Sequence, residues 1–271
     1  MEIGVITNPN SRKNQRKPNR ADDLQNIVGQ HGTVHQTRDT EAIKPVLRQF
    51  LRERARFWVS DGGDGALHWM LRMGMDVLEE DEFKNKGLTL PLAMPTNGGS
   101  IDFVAHNVGL RGNAETLLSA LRRTLEEGQN IEEAEVDSML VSGIRINDAG
   151  QEEAFRTLGF ASAAGGIGQR FFERLFEEGE HTTKNIVSIM AKTVSSAPVA
   201  LSPLRNVPGM PDLLRHYATK MFKPTCVRLS LDGQVQPYTD CSAINIASMA
   251  INLGNVFRLF GQADVPGQLH A

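Results

Sequence analysis

The stretch Phe57-Trp58-Val59-Ser60-Asp61-Gly62-Gly63-Asp64-Gly65-Ala66-Leu67-His68-Trp69-Met70-Leu71 decides how this chain folds. Three β-favouring residues, Phe57, Trp58 and Val59, lead through Ser60 and Asp61 into a glycine cluster, and Leu67, Met70 and Leu71 then recur at helical spacing. The segment therefore reads as strand, tight turn and helix. Three glycines in the turn let the backbone bend sharply and approach a ligand with no Cβ in the way. The helix that follows adds its unbonded N-terminal N–H groups and the positive end of its dipole, which together make a concavity suited to phosphate. Asp64 sits oddly in such a place. A carboxylate beside a phosphate is repulsive unless a divalent cation lies between them, so it points to Mg²⁺ arriving with a nucleotide. The competing reading is a strand-to-helix turn whose aspartate serves as a helix cap.

Outward from this turn, the first half of the chain alternates short β-rich runs with amphipathic segments, the pattern of βα units around a mostly parallel sheet. Ile3–Asn8 reads as a strand, Asp22–Gly29 as a helix carrying Leu24, Ile27 and Val28, and Gly32–Gln36 as a second strand. Ile43, Val46, Leu47, Phe50 and Leu51 mark the clearest helix, with Thr40 as its expected cap and Pro45 tolerated near the first turn. A fourth strand over Leu88–Met94 enters Pro95-Thr96-Asn97-Gly98-Gly99-Ser100, and Leu117, Leu118, Leu121 and Leu125 carry a helix to Gly128. From Ile131 the texture changes to β-type alternation, with later strands near Ala154–Ala161, Thr225–Leu231 and Cys241–Met249. Helical insertions are expected near Gln169–Glu178, Thr183–Ser196 and Pro211–Lys220. Pro198–Pro211 reads as an ordered connector or a mobile flap. The expected fold class is thus α/β: a Rossmann-like domain over residues 1–130, then a β-rich, sandwich-like domain over 131–271.

Composition narrows the function. The 271 residues carry a net charge of -3, which gives no global reason to expect nucleic acid, so an anion must be bound locally. Cys226 and Cys241 have no partners at metal-ligand spacing, and a chain of this size gains little from one disulfide, which suits a reducing cytoplasm. The N-terminus lacks the apolar run of a signal peptide, and Ile244–Phe260 is interrupted by polar residues, so no membrane-spanning helix is expected.

Two further turns fall at the ends of neighbouring strands, where open α/β sheets place their ligands. Asn8-Pro9-Asn10-Ser11-Arg12-Lys13-Asn14 leaves the first strand, and the segment through Arg20 holds Arg12, Lys13, Arg16, Lys17 and Arg20 with no acidic residue. It reads either as a solvated loop or as a clamp for triphosphate oxygens or anionic lipid headgroups. Pro95-Thr96-Asn97-Gly98-Gly99-Ser100-Ile101-Asp102-Phe103 is the third turn. In order and spacing the three turns resemble the diacylglycerol/sphingosine kinase family, which is distantly related to the NAD kinases. Phe155–Gly168 resembles the opening of that family's second domain.

The resemblance implies an ATP-dependent lipid kinase that moves the γ-phosphoryl group to a lipid hydroxyl, with ATP and Mg²⁺ held in the cleft between the domains. It implies that Gly62, Gly63, Asp64, Gly65, Ala66 and Leu67 hold the phosphates, that Asp64 meets the metal, and that Asn8, Thr37 and Thr96 contact the nucleotide. A cytoplasmic protein touching an anionic membrane peripherally would fit it. No catalytic base is assigned and the oligomeric state is open. Ala66 stands where the family has Thr, the third turn has one extra residue, and the family's late Asp-Gly-Glu segment has no counterpart before Ala271. Those departures motivate an alternative, a non-catalytic relative that binds nucleotide or lipid. Asp232-Gly233 is the one later Asp-Gly and reads as a hairpin turn. His68 and His106 read as packing residues, and Gly165-Gly166-Ile167-Gly168 as a site of close backbone packing.

Overall fold

The computed structural model describes residues 1–99, 102–146, 149–177, 183–202, 217–253, 257–263, 265 and 267–270. The chain forms two compact units, one of residues 1–159 with 249–266, the other of 160–248 with 267–271. A boundary near residue 130 was expected; the hairpin that follows it instead belongs to the first unit.

The first unit is built on four parallel strands, β1 (Ile3–Thr7), β2 (Gly32–Gln36), β3 (Phe57–Asp61) and β4 (Leu92–Pro95), in the order β2-β1-β3-β4. Because alternate side chains leave a strand on opposite faces, Ile3 and Val5 of β1 and Phe57 and Val59 of β3 share one side. There they pack against Leu24 and Val28 of α1 (Arg20–Val28) and Ala114, Leu118 and Leu121 of α5 (Ala114–Glu126). Trp58 points the other way, fully buried, its ring 6.3 Å from that of Phe50 on α2 (Ile43–Arg52). α3 (Asp64–Leu78) covers the same side, burying Leu67, Met70, Met73 and Val77. Each such side chain removed from water contributes roughly 1.5–3 kcal/mol.

Local chemistry sets several boundaries. α2 begins with Ala42 donating to Asp39 Oδ1 at 2.8 Å, so Asp39 holds its entrance and not Thr40. Asn113 caps α5 by accepting from Thr116 N at 2.9 Å. β4 is shorter than the expected Leu88–Met94, since only Leu92–Pro95 reaches β3. The short α4 (Phe103–Asn107) follows the third turn, and the antiparallel hairpins of β5 (Met139–Ile146) with β6 (Glu152–Gly159) and β13 (Ile251–Leu253) with β14 (Phe257–Leu259) complete the unit.

The second unit opens with β7 (Ala161–Gly165) and two helices, α6 (Gly166–Glu177) and α7 (Thr183–Ala200). Leu175, Ile189, Tyr217 and Met221 form its buried cluster, joined by Phe171, Ile186 and Phe222. β7 pairs with β12 (Ala243–Ala247), β8 (Thr225–Cys226) with β11 (Asp240–Cys241), and β9 (Ser230–Leu231) with β10 (Gln234–Val235). Among the described residues these remain separate two-stranded ribbons, so the expected sandwich-like pair of sheets is not formed there. Pro198, read as the start of a connector, lies inside the last turn of α7, while 203–216 fall outside the described residues. Of the expected helix Pro211–Lys220, the described part is a π-helical turn over Tyr217–Met221.

Candidate functional site

In a sheet ordered β2-β1-β3-β4 the chain runs outward in opposite directions from β1 and β3, and open α/β sheets bind ligands outside the carboxyl ends of the strands at that switch. Those ends carry Thr7-Asn8 and Asp61-Gly62, the first and second turns. β4 brings Thr96 alongside, with Thr96 N donating to Ser60 O at 3.1 Å, and β2 brings Thr37, whose N–H donates to Thr7 O at 3.1 Å. The structure thus gathers Asn8, Thr37, Thr96 and the segment Gly62–Leu67 along one edge of the parallel sheet.

Asp61 organises this edge. Its side chain is completely buried and accepts from Thr7 Oγ1 at 2.7 Å, Asn14 Nδ2 at 3.0 Å, and Arg20 Nε and Nη2, both at 2.9 Å. Its carbonyl accepts from Asn8 N at 3.0 Å and Asn14 Nδ2 at 3.1 Å. One carboxylate therefore ties β1, the first turn, α1 and the glycine turn together. Burial opposes the charge on Arg20, but hydrogen bonds and attraction from Asp61, then Glu115, hold its guanidinium above the ordinary arginine value. Glu115 receives Lys17 at 2.6 Å and Arg20; burial works against it, yet those cations draw its carboxyl down to about 2.

This network changes the meaning of the basic segment. Arg20 is buried against Asp61 and Glu115, Lys17 pairs with Glu115, and Lys13 pairs with Asp102 at 3.2 Å. Three of the five cations are thus committed to carboxylates of the same chain. The pairing partners lie in distant segments, so the run Arg12–Arg20 carried no sign of them.

The two glycine turns pack backbone against backbone. Gly98 N donates to Gly62 O at 3.0 Å, and a Cβ on Gly98 would stand 2.8 Å from Gly62 Cα. A Cβ on Gly63 would stand 2.8 Å from Gly99 Cα, and one on Gly62 would stand 2.4 Å from the Ala66 methyl. Glycine is required here for close packing of the turns, in addition to bending. The N–H groups of Gly62 and Gly63 donate to no described residue, and α3 starts immediately beyond them with no side-chain cap. Gly65 is open: a Cβ there would meet nothing within 4 Å. Ala66 N and Leu67 N both donate to Gly63 O, and Leu67 is core.

Asp64 is engaged by an element other than its own helix. Its two carboxylate oxygens accept from Phe103 N and Val104 N, each at 3.1 Å, so it caps α4. Burial pushes its carboxyl up, against those two N–H groups, while Asp102 adds to the upward push. Asp102, buried and in the left-handed region at φ 54°, accepts from Gly99 N at 2.8 Å. Among the described residues no three His, Cys, Asp or Glu side chains converge as a metal site. A cation here would meet one protein carboxylate, Asp64, and draw its other ligands from phosphate oxygens and water.

Against this geometry stand the comparisons with known proteins. No family model matches the sequence, and no curated protein matches it. Solved structures do match the chain, and one of them is described as a "putative diacylglycerol kinase from Bacillus anthracis str. Sterne", at 13% identity and a TM-score of 0.49. The match covers 91% of this chain and 65% of that one, so the chain spans less than two thirds of the relative's length. A likeness at this level speaks neither to chemistry nor to substrate.

The remaining sequence candidates resolve structurally. His68 packs edge-on to Trp69, with Nε2 3.5 Å from Thr157 Oγ1, and burial together with Arg72 lowers its pKa. Asp232 and Gly233 join β9 to β10 at φ 48° and 79°, the two positive values of a type I′ hairpin, so Asp232 is a turn residue. Gly166 has φ 67°, and a Cβ there would lie 2.1 Å from Ser242 O, as close backbone packing requires. No helix among the described residues is long and apolar enough to cross a membrane. The role of Asp61 lies outside the sequence expectations, and its place as the last residue of a fully buried strand is the signal that marks it.

Proposed function

We propose that this chain binds ATP with Mg²⁺ at the edge formed by Asn8, Thr37, Gly62–Leu67 and Thr96, and transfers the γ-phosphoryl group to a lipid hydroxyl of the diacylglycerol or sphingoid type. The observation that carries the reading is the β3–α3 turn. Two backbone N–H groups without a described acceptor lie at the start of a helix, at the sheet's switch point, where phosphate oxygens find donors and a favourable dipole. The resemblance of the three turns to the diacylglycerol/sphingosine kinases supplies the nucleotide, the metal and the class of acceptor. Asp64 would orient the cation, and the cation would neutralise charge on the phosphates; the protein's part is mainly positioning.

Phosphate transfer from labelled ATP to a panel of diacylglycerols and sphingoid bases tests this directly. Wild type should give labelled lipid, and Gly63→Val, which fills the turn, should lose ATP binding and product together. Absence of any labelled lipid with wild type defeats the kinase reading.

A second reading, a non-catalytic relative that binds nucleotide or lipid, is favoured by the engagement of both Asp64 oxygens with α4 and by Ala66 in place of a hydroxyl residue. Calorimetry separates the two: ATP binding with no transfer selects the second.

A further inference from the structure

Within the second unit, α6 and the π-helical turn Tyr217–Met221 with Lys223 bound a cavity of about 300 Å³, a volume in the range of small-molecule sites. One wall is a single face of α6, on which Arg170, Glu173, Arg174 and Glu177 recur at i, i+3, i+4 and i+7. Lys220 and Lys223 come from the opposite wall. Tyr217 and Met221, both buried, form the apolar part of the lining. π-helical turns are rare and occur mostly where a site needs their geometry.

The charges around this cavity do not balance. Four cations and two carboxylates line it, which leaves two positive charges uncompensated. Glu177 is committed to Arg174, which donates to it at 2.9 Å, and Glu173 accepts from Gln169 Nε2 at 2.8 Å. Arg170 is fixed across the cavity by its Nε, which donates to Lys223 O at 3.2 Å. The side chains of Lys220 and Lys223 are exposed and meet no carboxylate among the described residues. The Tyr217 ring gathers further charge, with Arg174 6.0 Å and Lys192 of α7 5.9 Å from its centroid. Cations brought this close repel one another, and an anion between them turns that repulsion into attraction.

The lining also describes the anion. A phosphomonoester carries nearly two negative charges and three acceptor oxygens, which match the uncompensated charge and the arginine and lysine donors. Tyr217 and Met221 give its organic part a wall to rest on. Phe172 and Phe176, the exposed aromatic residues of α6, lie on the side of that helix away from Arg170 and Arg174, so α6 offers no apolar side chain at the mouth to hold an acyl chain.

We propose that the cavity between α6 and the π-helical turn binds a small water-soluble phosphomonoester. It shares no residue with the Gly62–Leu67 edge, and its test needs neither ATP nor Mg²⁺. Calorimetry of the full chain with phenyl phosphate should show binding that weakens as salt rises from about 0.1 to about 0.5 M. Benzyl alcohol, which lacks the charge, should not bind. Lys220→Glu/Lys223→Glu should weaken phenyl phosphate binding about tenfold or more, with the circular dichroism of wild type. Gly63→Val, which fills the glycine turn, should bind phenyl phosphate as wild type does. No binding by wild type, equal binding of benzyl alcohol, or undiminished binding by the lysine variant would overturn the proposal. So would loss of binding in Gly63→Val, which would place the phosphate at the glycine turn, or binding confined to phosphatidylglycerol vesicles with none to phenyl phosphate. Phenyl phosphate binding without lipid phosphorylation leaves this site standing and counts against the kinase reading alone.

Discussion

The β3–α3 turn and the outer face of α7 handle their exceptional residues in opposite ways. At the turn, charged groups that ordinarily stay in water are buried, and each is tied to partners of the same chain: Asp61 to Arg20, Thr7 and Asn14, Asp64 to α4, Asp102 to Lys13 and Gly99. On α7, apolar groups that ordinarily go inside are left outside. The first region spends its interactions on holding one arrangement of three turns, because a buried charge without partners is costly. The second contributes nothing to the buried core.

This contrast can be tested by substitution. Asp61→Ala leaves Arg20 buried with only Glu115 and should cost about 3–5 kcal/mol in urea unfolding. An unchanged midpoint would show that the network does not hold the turns. Gly98→Ala forces a methyl to 2.8 Å from the Gly62 backbone and should cost about 1–3 kcal/mol, with weaker ATP binding as the second turn is displaced. Glu115 gives a pH signature. Its folded carboxyl is drawn down to about 2, below its ordinary value, so its contribution is present above that ordinary value and lost as pH falls toward 2. Glu115→Gln should therefore flatten the acid limb of a melting-temperature profile between about pH 4.5 and 2, and an unaltered limb would remove Glu115 from the network. Val194→Glu on α7 should change stability by no more than about 0.5 kcal/mol, since nothing of the fold rests on it.

Much of the first unit was legible in residue order. Period-two runs ending in glycine turns, alternating with helical stripes such as Ile43–Leu51, specify βα units, and the parallel sheet formed from them. The three turns at strand ends were visible for the same reason, and so were the hairpin turn at Asp232-Gly233 and the tight packing at Gly166. Each of these rests on neighbours in sequence: periodicity, left-handed backbone and the absence of a side chain are local properties.

What came from tertiary structure depends on distant partners. Lys13, Lys17 and Arg20 look alike in the chain, and only the arrival of Asp102, Glu115 and Asp61 from other segments turns them from a charged loop into a buried network. Asp64 looked like the cap of its own helix or a cation ligand; the packing of the third turn gives its oxygens to α4. The stripe Val187, Ala191, Val194, Pro198 and Leu201 is apolar in the sequence too, but apolarity alone cannot say which face of a helix meets the core. That choice was made by Ile186, Ile189, Thr193, Ser196 and Ala200 packing inward, because a helix can turn only one side to the interior and everything opposite is left to water or to a partner.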